Sequence, residues 1–186
     1  MRIIIDMQGA QTNSRYRGIG RYTLSFAQAV VRNRGEHEII LVLSSLMPDT
    51  IEPICAAFQG LLPRDKIRVW CAPASVDAAS QVYDSRREIL ELTREAFLAS
   101  LQPDVIHISS IFEFGWPSGE DVAVTIGQLD KSTPTTVTLY DLIPFLNPDD
   151  FFTGNSRYKD FYFRQIYFLE KSTKIFAISE SARAEG

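Results

Sequence analysis

Apolar residues along this chain switch between two spacings, short unbroken runs and a period of three to four, and that switching predicts its elements. Arg2–Met7 reads as a buried strand, three consecutive isoleucines ending at Asp6. Ile19, Tyr22, Thr23, Phe26, Ala27 and Val30 then follow helical spacing, and Asn33 to Gly35 supply the stop. Glu38–Leu43 is a second strand, Pro48 and Asp49 open a short helix to about Phe58, and Lys66–Cys71 is a third strand. Asp84 caps a longer helix with Leu90, Phe97, Leu98 and Leu101 on one face. Arg87 and Glu91 can pair at i, i+4 on the other. Pro103 closes that helix before a fourth strand, Asp104–Ile108.

Residues 109–133 break the rhythm, because bulky Ile111, Phe112, Phe114 and Trp116 are interrupted by Gly115, Pro117 and Gly119. They read as a structured loop at the sheet edge, with Val122–Ile126 a short strand or a helical turn. Thr135–Tyr140 is the fifth strand, Ser156–Ser172 a helix, Lys174–Ile178 the sixth strand, and Glu180 begins another helix. Six strands alternating with helices predict an α/β fold. It is a Rossmann-like doubly wound parallel sheet, since right-handed crossovers put helices on both faces. The 186 residues form one domain, 1–186.

Composition adds mainly exclusions. An apolar content of 45% with 23% charged residues suits a soluble globular protein. A net charge of −4 argues against a nucleic-acid partner, which favours a basic face, although Arg15, Arg17 and Arg21 form a local basic group. No stretch approaches the ~20 apolar residues of a membrane-spanning helix, and the start lacks a signal peptide, so the expected location is cytoplasmic. Cys55 and Cys71, the only thiols, are expected reduced and buried. His37 and His107 are too isolated for a zinc site, and His107, inside Val-Ile-His-Ile, reads as a satisfied strand histidine.

Candidate chemistry collects after the strands, where open parallel sheets bind their ligands. Gly18-Ile19-Gly20 stands at the entrance to the first long helix, where backbone N–H groups and the helix dipole favour a phosphate and Arg17 and Arg21 add charge. A dinucleotide fingerprint fails here. Thr23 replaces the third glycine, residues 7–17 separate the strand from the loop, and Ser44 and Ser45 stand where an acidic residue would close the second strand. The long connection carries Gln8, Gln11, Asn13, Ser14, Arg15 and Tyr16, a set suited to a polyhydroxylated ligand as well as to a solvated loop. Asp141 ends the fifth strand before Leu-Ile-Pro, and the proline biases Ile143 to an extended conformation. Asp141 there is a site residue or a turn cap, and Ser179-Glu180 a site pair or a helix N-cap with an acidic first turn.

Taken in order, Gly-Ile-Gly-Arg-Tyr at 18–22, Pro-Asp-Val-Ile-His at 103–107, Tyr-Asp-Leu-Ile-Pro at 140–144 and Ile-Ser-Glu-Ser-Ala-Arg at 178–183 resemble the amino-terminal half of group 1 (family 4) retaining glycosyltransferases of the GT-B fold. Tyr-Asp-Leu-Ile-Pro is also similar to the segment found in bacterial polysaccharide mannosyl- and rhamnosyltransferases. The resemblance implies transfer of a hexose from a nucleotide sugar to a glycan or glycolipid acceptor, with retention, in surface-polysaccharide assembly. No obligatory metal or other cofactor is implied, and no Asp-x-Asp motif is present. It assigns the donor phosphate to Gly18, Ile19, Gly20 and Arg21 and the catalytic rim to Asp141 and Tyr140. Acceptor or sugar contacts fall to Asn13, Arg15, Arg17, Glu113, Ser179 and Glu180. Tyr140 stands where many relatives carry histidine, and a tyrosine, with a reference pKa near ~10, donates a hydrogen bond but is a poor base. The nucleotide-sugar-binding carboxyl domain is expected outside this chain, which alone would then be inactive. Rival readings are a stand-alone Rossmann-like binding or regulatory domain, or another sugar-nucleotide enzyme such as an epimerase.

One helix carries an excess of aromatics. Tyr158, Phe161, Tyr162, Ile166, Phe168 and Leu169 share a face, which predicts core packing. Phe163 and Tyr167 fall outside it, and they are candidates for contact with the missing domain or for peripheral contact at the inner face of the plasma membrane.

Overall fold

In the computed structural model, which describes residues 1–72, 85–113 and 124–186, all six strands lie parallel in one sheet of order β3-β2-β1-β4-β5-β6. These are β1 (Arg2–Asp6), β2 (Glu38–Ser44), β3 (Ile67–Trp70), β4 (Val105–Ile108), β5 (Thr135–Leu139) and β6 (Lys174–Ala177). The helices in chain order are α1 (Gln8–Gln11), α2 (Gly18–Arg32), α3 (Ile51–Ala57), α4 (Ser85–Ser100), α5 (Ile143–Leu146), α6 (Pro148–Phe152), α7 (Ser156–Leu169) and α8 (Glu180–Glu185). A 3₁₀ turn at Asn13–Tyr16 joins α1 to α2. The order reverses between β1 and β4, so the switch point, where such sheets hold ligands, lies at the carboxyl ends of those two strands.

Strand alternation sends β1 side chains to two separate cores. Ile5 and Met7 join Leu41 and Leu43 of β2 beneath Ala27 and Val31 of α2 and Ile54 and Phe58 beside them. Ile4 joins Ile40, Ile106, Ile108, Val137 and Leu139 on the opposite face, covered by Leu98 and Leu101 and by Phe168 and Leu169 of α7. The buried residues of α2 are Gly20, Thr23, Ala27 and Val31, so its stripe is rotated from the one expected. Tyr22 and Phe26 turn instead toward β4 and β5, with Tyr22 edge-on to Tyr140 at 5.6 Å and Phe26 4.7 Å from the His107 ring.

Several expectations need correction. Arg87 and Glu91 do pair, at 3.0 Å, but both are buried, because α7 packs over that face. Arg164 of α7 forks onto both oxygens of Glu91, a bidentate match that offsets the desolvation of a fully buried carboxylate. The neighbouring Glu95 accepts from the Thr125 hydroxyl and from the N–H groups of Gln128 and Leu129, and so pins the segment after residue 123 against α4. Val124–Ile126 is accordingly buried yet irregular, neither strand nor helix. The Asp84 cap and residues 114–123 lie outside the described residues. Ile143 does not stay extended: it opens α5, with Pro144 in the first turn, where a missing N–H costs nothing. Both thiols are free, but Cys71 is exposed, and Cys55 is half-buried at the margin of the core formed with Ile54 and Phe58.

His107 is a strand histidine bridged by two hydroxyls, Thr136 Oγ1 at 2.9 Å from Nδ1 and Thr138 Oγ1 at 3.1 Å from Nε2. Burial pushes its pKa down to about 4. The folded chain therefore holds a neutral imidazole that the unfolded chain protonates below its ordinary value of ~6.5. Stability is retained above pH ~6.5 and declines toward pH 4, by up to about 3 kcal/mol from this group. Urea titrations across pH 7.5–4 should show that decline in the native chain, and a shallower slope between 6.5 and 4 in His107→Gln. Parallel slopes would mean that the imidazole already ionises in the fold.

Candidate functional site at the switch point

The connection from β1 to α2 folds back over the switch point instead of lying in solvent. Gln11 is fully buried, its amide accepting from Ser44 N at 2.7 Å and donating to Ser44 O at 3.1 Å and to Thr50 Oγ1 at 2.8 Å. It closes the end of β2. Gln8 is buried too, its N–H bonded to the Asp6 carboxylate, so these two residues leave the set suited to a ligand. Asp6 itself forms a buried ion pair with Arg94 of α4, locking the end of β1 to the opposite layer.

Two glycines make the fold-back possible. A Cβ on Gly9 would meet Thr23 Oγ1 at 2.7 Å and Ser110 Cβ at 3.3 Å. One on Gly20 would lie 2.6 Å from the carbonyl oxygen of Ser14 and closer still to Arg15 Cα. Gly20 therefore lacks a side chain because the 13–16 turn sits on it. Gly18 is different, exposed and with open space around it. Arg17, at the N-cap, makes no side-chain cap, so the first-turn N–H groups of α2 are not capped by that residue. Arg17 and Arg21 are exposed and form no ion pair with a described residue, whereas Arg15 is paired with Asp49 at 2.8 Å.

Across from this helix entrance stands Tyr140. Its hydroxyl lies 3.4 Å from the carbonyl oxygen of Ile19, to which it donates, and 3.3 Å from Thr23 Oγ1. Burial pushes its pKa up to about 12, the Thr23 hydrogen bond opposes that, and the charge of Glu113 reinforces it. Glu113 is buried and accepts from the Thr12 hydroxyl. The structure thus brings together Ile19, Tyr140, Glu113 and the residues around Gly20, from three separate segments. Thr12 and Thr23 belong to this region and were not named as site candidates from sequence, nor was Ser109, which follows β4 on the strand parity of His107. Thr23 carried a signal, as the residue standing in place of a third glycine, and Ser109, whose buried hydroxyl has no hydrogen-bond partner among the described residues, carried none.

Other candidates lie apart from that group. Asp141 is exposed on the rim, its carboxylate accepting from Ile143 N at 3.2 Å. Strand alternation turns it away from Tyr140 and toward α7, where burial and then the Asp141 charge raise the pKa of Tyr158. Ser179 caps α8, accepting from Ala182 N at 3.1 Å, and Glu180 is exposed and paired with Arg183. Asn13 is exposed on the 3₁₀ turn. Phe163 and Tyr167 are 42% and 54% exposed, and Phe163 stands 5.9 Å from the half-exposed Phe145 of α5. Among the described residues no helix is long and apolar enough to cross a membrane.

The chain is 30% identical over 188 aligned positions to a serotype-specific mannosyltransferase, WbdA, of Escherichia coli, covering all of this chain and 22% of that protein. This chain is homologous to a segment of a bacterial mannosyltransferase. Two further WbdA mannosyltransferases of Escherichia coli are each 26% identical over 86% of the chain and 19% of their own length. The chain thus spans about a fifth of these relatives. No protein-family model matches it, and no solved structure matches it significantly.

The two glycines of the helix entrance separate experimentally. Gly20→Ala should lower thermal stability by more than about 2 kcal/mol, since the obstruction is backbone and has no rotamer to yield. Gly18→Ala should be near neutral or stabilising by up to about 1 kcal/mol, on helix propensity alone. Equal melting temperatures for the two variants would show that the 13–16 turn does not rest on Gly20.

Proposed function

We propose that this chain is the acceptor-side domain of a retaining glycosyltransferase of GT-B type, moving mannose or a related hexose from a nucleotide sugar to a glycan or glycolipid acceptor during bacterial surface-polysaccharide synthesis. The single observation that carries the proposal is the 30% identity to a mannosyltransferase along the complete chain. The rim geometry supports it.

Glycosidic cleavage builds positive charge on the sugar and negative charge on the departing diphosphate, so fixed donors beside the phosphate lower the barrier. In this reading the exposed first turn of α2 at Gly18, with Arg17 and Arg21 beside it, receives the diphosphate from a carboxyl-terminal domain. Tyr140, with its pKa near 12, stays protonated at neutral pH, and its hydroxyl, turning its proton from Ile19 O to the sugar, serves as a hydrogen-bond donor and not as a base. In this reading a tyrosine donor serves at the position where the resembled family commonly carries histidine. Glu113 and Asp141 orient hydroxyls of the sugar or the acceptor, from the two sides of the β5 end. Phe163, Tyr167 and Phe145 supply apolar contact to the inner membrane face or to the second domain.

The test is mannosyl transfer from nucleotide-activated mannose by the longer polypeptide that contains these residues. Tyr140→Phe should lower kcat/KM by ten- to a hundredfold without moving the acidic limb of the pH profile, as expected for a lost donor. Leaving-group charge is assigned to the helix and its arginines, so excess chelator should leave the rate unchanged. Bound nucleotide sugar with no transfer to any glycan would favour the binding-module reading instead.

A further inference from the structure

On the side of α2 facing away from Tyr140 lies a cavity of about 370 Å³, between the 13–16 turn and α3. At 100° per residue, Ile19, Tyr22 and Thr23 form the Tyr140 side of the helix, while Gly20, Arg21 and Leu24 line the cavity on roughly the opposite side. One helix, about 10 Å across, therefore separates this cavity from the rim described above. Its volume falls within the range of about 300–1,000 Å³ typical of small-molecule sites.

The lining is amphipathic in a particular way. Leu24, Pro53 and Ile54 give an apolar wall, to which the buried Thr50 and the charged Arg15, Arg21 and Asp49 add polar groups. At the mouth Tyr16 is 76% exposed, a large aromatic left in water. It is nevertheless held still: the Arg15 guanidinium sits 4.7 Å from its ring centroid and donates to its hydroxyl at 2.7 Å. Arg15 is anchored in turn by Gln11 O at 3.1 Å and Asp49 at 2.8 Å. A fixed exposed ring loses little freedom when a ligand stacks on it, and a paired arginine and carboxylate offer donors and acceptors side by side. Such a mouth suits a neutral ring with an apolar face and hydroxyls at its edge. Asp49 compensates Arg15, while Arg21 adds one further positive charge to the lining, so phosphate is the competing ligand that the titration has to separate from a sugar.

We infer that this cavity is a second carbohydrate subsite, binding a sugar ring of the acceptor chain away from the reacting end, with Tyr16 as its stacking platform and Arg15–Asp49 as its polar clamp. This rests on the acceptor-side reading above and narrows it: a glycan reaching both the Tyr140 rim and this cavity must pass the turn of α2, so the acceptor is an oligosaccharide, not a single sugar.

The experiment is an amide NMR titration of the 186-residue chain with a linear α-linked mannotetraose, with methyl α-mannoside, inorganic phosphate and a nucleoside diphosphate run separately. The tetraose should shift amides within 13–24 and 49–57. Tyr16→Ala should weaken it at least tenfold, Tyr16→Phe should remain within threefold of the native chain, and Asp49→Asn should weaken it severalfold. Absence of shifts up to the solubility limit would overturn the inference, as would shifts confined to the β5 end or a Tyr16→Ala affinity equal to the native one. Saturation of the same amides by phosphate or the diphosphate alone would make the cavity an anion site and overturn it too. The outcome separates from the function itself. Transfer activity with an unchanged KM for tetraose in Tyr16→Ala would sink the subsite and leave the transferase standing, and tetraose binding without any transfer would do the reverse.

Discussion

Everything at the candidate site depends on how closely the chain can approach itself between β1 and α2. The 13–16 turn lies on Gly20, and the turn of α1 lies on Thr23 through Gly9, with no room for a Cβ at either point. Those two contacts set the height of the α2 entrance above the sheet. That height brings Ile19 to within hydrogen-bond reach of Tyr140, leaves Gly18 uncovered, and stands Tyr16 and Arg15 over the cavity on the far side. A methyl group at Gly20 would lift the turn and disturb both sides of the helix at once.

A second set of constraints comes from charges taken out of water. Asp6 with Arg94, and Glu91 with Arg87, are buried in the layer between the sheet, α4 and α7, and the half-buried Arg164 closes on Glu91 from α7. Such pairs add little net stability over an apolar replacement, but breaking one strands a buried charge at a cost of several kcal/mol. Their value here is geometric. Asp6 ties the last residue of β1 to α4, and its other oxygen holds Gln8 N at 2.7 Å, so the same carboxylate fixes where the fold-back begins. Arg164 does the corresponding work for α7, whose start, Tyr158 and Tyr162, lies beside Asp141.

The open-sheet rim then distributes its chemistry by strand parity. Tyr140 and Asp141 are adjacent in sequence, yet one turns to α2 and Glu113 and the other to α7. In the glycosyltransferase reading, a substrate held at the end of β5 is touched from both sides by consecutive residues. The tyrosine hydroxyl, kept protonated by burial, and the exposed carboxylate have complementary hydrogen-bonding character.

Much of this was present in local pattern alone. Strand runs such as Ile3–Ile5 and Ile39–Leu43, the helical spacing of 19–30, the Ser179 cap and the ordered motifs at 18–22, 140–144 and 178–183 are properties of neighbouring residues, and they determined the wound parallel sheet and its resemblance to sugar-transferring enzymes. Only the tertiary structure decided which side of each helix would be covered. The Arg87–Glu91 pair became core because α7, some seventy residues on, supplies Arg164, and Gln11 became a structural clamp because β2 ends beside it. Likewise the 13–16 turn packs directly on Gly20, and Tyr16, although exposed, is held by the Arg15 guanidinium. Periodicity is a short-range property of the chain, whereas burial and side-chain partnership are fixed by segments that meet only after folding.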